Sequence, residues 1–302
     1  MHPRRWKLRP RFLAALMAGT VALVVVVQGG AAGASRARGA VTVLYAGSLL
    51  DLMQNRIGPA FLRASGDTLN GTAGGSNELA HEIVAGTQRA DVFISASPSV
   101  NADLEGPRGG RFVSWYTTFA TSRLLLAYNP HSRFARALRT EPWWKVVTKK
   151  GFLLGRTDPA TDPKGKLALD ALRQAARQHH DAALSAMARS TSGVFPEQTL
   201  VGRLQAGQLD AGFFYAVEAK AAKLPTIPLL GSNRSAAYTL TVLNRAPDPS
   251  EAERFVSFLL GASGRTILAE NGLQVVRHLR VVGTSAAVPN GLRRLLSLGT
   301  RG

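Results

Sequence analysis

The sequence has no cysteine. That excludes disulfides, thiolate metal sites and a cysteine nucleophile. It also excludes the lipidated cysteine that would tether an exported protein to a membrane. Histidine is scarce: His2, His81, His131, His179, His180 and His278. None has metal-ligand spacing, and there is no H-E-x-x-H and no Walker-type lysine loop. The stretch Ala46-Gly-Ser-Leu-Leu50 is not a G-x-S-x-G nucleophile elbow. Neither an enzyme nor a cofactor is expected. Dense basic blocks are lacking too. The formal charge is +18, but the basic residues run from Arg36 to Arg301 without an aromatic-interleaved stripe. A nucleic-acid partner is therefore not expected.

Acidic residues are absent from the first 34 positions. Arg4, Arg5, Lys7, Arg9 and Arg11 precede an apolar stretch, Phe12 to Val27. Small residues follow, with Ala32-Gly-Ala34 fitting an A-x-A cleavage site. Basic, apolar, small is the order of a secretory signal. The apolar run is shorter than the roughly 18–20 residues that span a bilayer. Residues 1–34 are expected to be a signal peptide, with an uncleaved anchor as the other reading. The remaining chain, about 270 residues, can form one large domain or two lobes. It contains no second long apolar run and is expected to be a soluble, monomeric periplasmic protein. Its residual charge of about +13 steers small anions.

Strands and helices alternate along this portion. Val41–Tyr45, Asp91–Ser95, Ser122–Tyr128, Gly151–Gly155, Asp210–Tyr215 and Tyr238–Leu243 read as strands. Helical spacing follows Ser48, Ser76, Asp162 and Pro196, and recurs from Ser250. Ser48 with Asp51, and Ser250 with Glu253, fit capping boxes. Asn271-Gly272 is a helix stop. The segment 190–196 reads as loop, and a short helix is expected around Leu292–Leu296. Such alternation predicts parallel sheets flanked by helices. Ligands of these sheets bind at the carboxyl ends of strands, where helix N-termini favour anions. Ala46-Gly-Ser48, Gly74-Gly-Ser76 and Asp162-Pro-Lys-Gly165 are turns of that kind. Glycine lets the backbone approach a ligand, and a serine hydroxyl donates without adding charge. Each serine has the alternative role of a plain N-cap.

Val43-Leu-Tyr-Ala-Gly-Ser-Leu49, Gly74-Gly-Ser-Asn-Glu-Leu-Ala80 and Arg89-Ala-Asp-Val-Phe-Ile-Ser-Ala96 resemble the signatures of molybdate/tungstate-binding proteins of ABC importers. Asp158-Pro159 with Asp162–Gly165, Gly207–Tyr215 and Ala262–Leu273 extend the resemblance over most of residues 41–275. The resemblance implies a type II periplasmic binding fold, with two lobes joined by two hinge strands. Lobe 1 would take residues 40–122 plus 239–302, and lobe 2 residues 123–238. The hinges would lie near Ser122–Tyr128 and Tyr238–Leu243. It implies capture of a tetrahedral oxyanion, molybdate or tungstate, for a membrane permease and its ATPase. Ser48 and Ser76 would donate from lobe 1. Lys164 and Glu197 would offer backbone N–H groups from lobe 2, and Tyr215 its phenol.

Two departures leave alternatives open. The tungstate-type branch of the family makes the metal six-coordinate with two carboxylates. Asp162 stands where one is expected, and is either a ligand to the oxyanion's metal or a helix N-cap. Phe214 stands near the place of the second, and Glu218 lies a few residues on. Lys164 is larger than the residue usual at that turn. Its ammonium points to solvent or adds charge to the site. The expected site is one of uncharged donors, which favours molybdate, tungstate or sulfate over a protonated phosphate. Sulfate, or another small anion in the same fold, is the alternative ligand.

Overall fold

The computed structural model describes residues 39–298. The expected signal peptide, residues 1–34, lies outside them. Eleven strands lie among the described residues: β1 Ala40–Ala46, β2 Thr68–Gly74, β3 Val92–Ser95, β4 Trp115–Tyr128, β5 Leu154–Thr157, β6 Val194–Phe195, β7 Ala211–Tyr215, β8 Thr226–Pro228, β9 Ser235–Val242, β10 Gln274–Val275 and β11 Val281–Gly283.

β1 is a nearly continuous apolar run with Val41, Val43, Leu44 and Tyr45 all fully buried. A strand covered on both faces by helices requires that composition. β1 pairs in parallel with β2 on one side and β3 on the other. β5 pairs in parallel with β6 and β7. The strand order is β2-β1-β3-β9-β4-β7-β5-β6. β9 and β4 thus stand between the two parallel groups and run antiparallel to their neighbours.

β4 carries the connection. Its Thr117–Arg123 portion pairs with β9, and Leu124–Tyr128 pairs with β7. A bulge interrupts its β9 pairing between Thr118 and Ala120. The strand expected at Ser122–Tyr128 is therefore the second half of a longer one. β10 and β11 pair with its first half, which ties the C-terminal stretch to the β1 group. Against that group Phe61 packs edge-on to Phe255, with ring centroids 5.3 Å apart. In the other group Trp143 packs edge-on to Phe213.

Several local expectations change. Ser48 makes no side-chain cap, and the turn after β1 is a short 3-10 helix, Gly47–Leu49. The helix Pro249–Leu260 is capped by Asp248, which accepts the N–H groups of Ser250 and Glu251, so Ser250 lies inside it. The strand expected at Gly151–Gly155 forms later, at Leu154–Thr157. Segment 190–196 holds the two-residue β6. The helix expected near Leu292 is Asn290–Arg293. Asn271 does end the helix Ala262–Glu270. Among the described residues no helix is long and apolar enough to cross a membrane.

Candidate functional site: a buried charge cluster at the strand ends

The C-terminal ends of β1 and β2 and of β5, β6 and β7 supply the site. Ser48 follows β1, Ser76 follows β2, Asp162 and Lys164 follow β5, Glu197 follows β6, and Tyr215 ends β7. Parallel strands place their helix N-termini at one edge, which is why residues so distant in sequence meet.

Lys164 is the centre. It lies in the first turn of the helix Pro163–His179 and is fully buried. Its Nζ donates to Glu218 Oε1 at 2.6 Å and to Glu197 Oε1 at 3.1 Å. It also stands 5.5 Å from the ring centroid of Phe214 and 5.7 Å from that of Tyr215. The ammonium does not point to solvent; it lies buried between the Glu218 and Glu197 carboxyl groups. Glu197 begins the helix Glu197–Gln205, and its Oε2 accepts the Gly47 N–H at 3.1 Å. Glu218 Oε2 accepts the Tyr215 N–H at 2.9 Å. Asp162 Oδ1 accepts the Lys164 N–H at 2.9 Å, an N-cap bond, while the buried Oδ2 has no hydrogen-bond partner. The Tyr215 hydroxyl is likewise buried and unpartnered, while the buried Thr157 hydroxyl lies close enough to the Asp162 carboxyl to favour its ionised form.

The two serines are buried as well. Ser48 Oγ pairs with the Tyr238 hydroxyl at 2.8 Å, and the Tyr238 ring meets that of Tyr215 edge-on at 6.1 Å. Ser76 Oγ accepts the Ala96 N–H at 3.0 Å, leaving its own proton to donate. One residue before Asp162, the Thr161 carbonyl accepts the N–H groups of Asn77 and Glu78 at 3.0 and 3.2 Å. Asn77 Nδ2 also donates to the Ala160 carbonyl. The β1 and β5 groups are thus in direct contact across the cleft. A cavity of about 350 Å³ borders Gly47, Ser48, Glu197 and Glu218 from outside.

This is not a cradle of uncharged donors. Three buried carboxylates face one ammonium. Burial pulls the Lys164 ammonium toward deprotonation, but Glu197, Glu218 and Asp162 together outweigh it and hold its pKa above the usual lysine range. Burial pushes Glu197 well above the usual carboxylate range; Asp162 adds to the rise and Lys164 opposes it. Burial also raises Glu218 and Asp162 against the pull of Lys164. Burial and the same negative charges raise the phenols of Tyr215 and Tyr238. A carboxyl whose folded pKa is raised binds its proton more tightly folded than unfolded. Its contribution is complete below the unfolded value, about 4.3 for glutamate, and is lost as pH rises through the folded value. The melting temperature of Glu197→Gln, taken relative to the wild type, should therefore rise between pH 4 and pH 8. A difference that stays flat across that range would mean Glu197 ionises normally.

Sequence reasoning gathered Ser48, Ser76, Asp162, Lys164, Glu197 and Tyr215. It credited Lys164 and Glu197 with backbone groups, whereas their side chains build the cluster. It left Glu218 unassigned, and it treated Tyr238 as hinge alone. The signal for Glu218 was its place three residues after the strand-ending tyrosine, the spacing of a first-turn acid.

A family model described as bacterial extracellular solute-binding protein matches residues 41–274. A putative ABC transporter molybdenum-binding protein of Haloferax volcanii is 30% identical over 254 residues, 83% of this chain and 76% of that one. The periplasmic molybdate-binding protein of Azotobacter vinelandii superposes with a TM-score of 0.61 at 18% identity, over 78% of this chain and 100% of that one. The sulfate-binding protein SubI of Mycobacterium tuberculosis gives 0.61 at 14% identity, over 79% and 88%. These likenesses carry the fold: a type II periplasmic binding fold, with two lobes joined by two hinge strands. By the match over residues 41–274, most of its length, the chain belongs to the bacterial extracellular solute-binding protein family.

Proposed function

We propose that this protein captures a molybdate or tungstate oxyanion in the periplasm and delivers it, as a monomer, to the permease and ATPase of an ABC importer. The carrying observation is the unpartnered Asp162 Oδ2 beside Lys164, with the unpartnered Tyr215 hydroxyl in the same buried cluster. Lobe 1 comprises residues 40–122 and 239–302, and lobe 2 residues 123–238. Ser48, Ser76, Tyr215 and the backbone N–H groups of Lys164 and Glu197 donate to the oxyanion oxygens. Fixed donors in a closed cleft replace the hydration that a dianion loses. Asp162 Oδ2 and Glu218 approach its metal centre. That chemistry separates the two ligand classes. Molybdenum and tungsten accept further oxygen ligands, whereas the sulfur of sulfate does not and meets the carboxylates as like charge. The protein acts as a carrier, with no catalytic step.

The test is thermal melting of residues 35–302 with molybdate, tungstate, sulfate and phosphate in turn. A ligand that binds the native state raises the melting temperature by mass action, equivalent to about 2.7 kcal/mol at a hundredfold excess over Kd. The expected result is a rise with molybdate and tungstate alone. A rise with sulfate alone would give the site to the alternative ligand. Ser48→Ala combined with Ser76→Ala should shrink the rise, read against the double variant's own ligand-free melting temperature, because each substitution also strands a buried partner, the Tyr238 hydroxyl and the Ala96 N–H, at about 1–3 kcal/mol apiece. An undiminished rise in that double variant would sink the serine assignment.

A further inference from the structure

Arg156 sits where a charge is costly. β5 is hydrogen-bonded on both sides, to β6 and to β7, and parallel strands in that position normally run apolar. Arg156 lies in β5, is only 7% exposed and forms no ion pair among the described residues. Its Nη2 donates to the Ser190 carbonyl at 2.8 Å, at the end of the helix Ala182–Arg189, and its Nη1 reaches the Thr157 carbonyl at 3.4 Å. A helix C-terminus favours the first contact, which accounts for one edge of the guanidinium. Nε has no hydrogen-bond partner among the described residues. Burial pulls the Arg156 pKa below the usual arginine range; Asp158 opposes the fall and Arg173 adds to it. A guanidinium taken out of water and held by carbonyls alone lacks the opposite charge that would match it.

The same side chain borders a cavity of about 510 Å³. Small-molecule sites have this size, with mostly apolar walls and a few placed polar groups. Phe152, Leu154, Leu172, Met187 and Leu209 line the cavity, and the one other cation on its wall, Lys149, is engaged by Glu141. Arg156 is thus the cation left to a ligand. It is turned away from the oxyanion cluster, because Thr157 faces Asp162 and successive side chains of a strand point to opposite faces. We propose that this cavity is a second binding site, which takes a small monocarboxylate with an apolar body and pairs its carboxylate with the Arg156 guanidinium. The charge fixes the class. A guanidinium presents a planar fork that matches a carboxylate, and it neutralises a single negative charge. Apolar walls favour a hydrocarbon body and would strip water from a dianion without replacing it. Binding here goes beyond oxyanion capture and does not depend on it.

The experiment titrates hexanoate and phenylacetate, one straight-chain acid and one aromatic, calorimetrically into residues 35–302. Hexan-1-ol and phenylacetamide serve as their uncharged counterparts. At least one acid is expected to bind the wild type with a Kd of about 1 mM or tighter, and the tighter of the two gives the shape of the body. The uncharged counterpart should bind about tenfold weaker or worse, and so should the acid to Arg156→Gln, through loss of a charge-assisted hydrogen bond. Ala186 is exposed on the cavity wall, so Ala186→Trp should block the acid while leaving Arg156 and its carbonyl contacts in place. The proposal is overturned if neither acid binds the wild type at that level, or if the counterpart binds equally well. An acid affinity that either folded variant leaves unchanged overturns it too, by placing the acid elsewhere on the protein. Should Arg156→Gln show no cooperative melting, Ala186→Trp and the uncharged counterparts decide.

Discussion

Lys164→Met is expected to destabilise the protein by about 3–5 kcal/mol, the cost of leaving a buried ion pair without one partner. The lysine side chain is fully buried, and those of Glu197 and Glu218 are 3% and 5% exposed. Removing the ammonium leaves both carboxylates, with Asp162, facing one another in a medium that screens poorly. Protonation relieves part of that charge, since all three carboxyls are already raised. The loss should accordingly be larger at pH 8 than at pH 5. A domain with a net stability of about 5–15 kcal/mol comes close to unfolding under such a change. Urea denaturation measures it. Glu197→Gln and Glu218→Gln, added to Lys164→Met, should recover most of the loss, because a buried charge set replaced as a whole is often neutral or stabilising. A Lys164→Met midpoint within about 1 kcal/mol of wild type, well inside the usual cost of a broken buried pair, would mean the cluster is hydrated.

Asp162→Asn is expected to weaken molybdate binding by about a hundredfold, or about 2.7 kcal/mol. The substitution separates the two roles of this residue. Asn caps a helix about as well as Asp, so the bond from the Lys164 N–H survives and the fold should hold. What is lost is the charge on Oδ2, the buried oxygen with no partner. Asp162→Ala would lose the cap as well and cost about 1 kcal/mol of stability. Calorimetric titration of the Asn variant reads the difference directly. Unchanged affinity would leave Asp162 as an N-cap alone and return the site to hydrogen bonding without a bond to the metal.

Much of the fold was legible because its signals are local. The buried run Val41–Tyr45, the glycines before Ser48 and Ser76, and Asp162-Pro163 at a helix start each fix backbone conformation over a few residues. The capping of the helix after β7 was harder to see. Glu218 reads as an ordinary first-turn acid until Lys164, 54 residues away, is brought within 2.6 Å of it. Ser48 failed as a cap for a related reason. Its hydroxyl found Tyr238, 190 residues on, and no local rule competes with a buried partner at 2.8 Å.

The sequence by itself determined that strands and helices alternate and that small-residue turns lie at the strand ends. It also placed Ser48, Ser76, Asp162, Lys164, Glu197 and Tyr215 at those turns. The tertiary structure alone decided what the side chains do there. It turned the Lys164 ammonium inward, set Glu197 on the Gly47 N–H and left one oxygen of Asp162 without a partner. Backbone conformation follows from neighbours in the chain. The charge state and partner of a buried side chain follow from which distant groups share its low-dielectric surroundings.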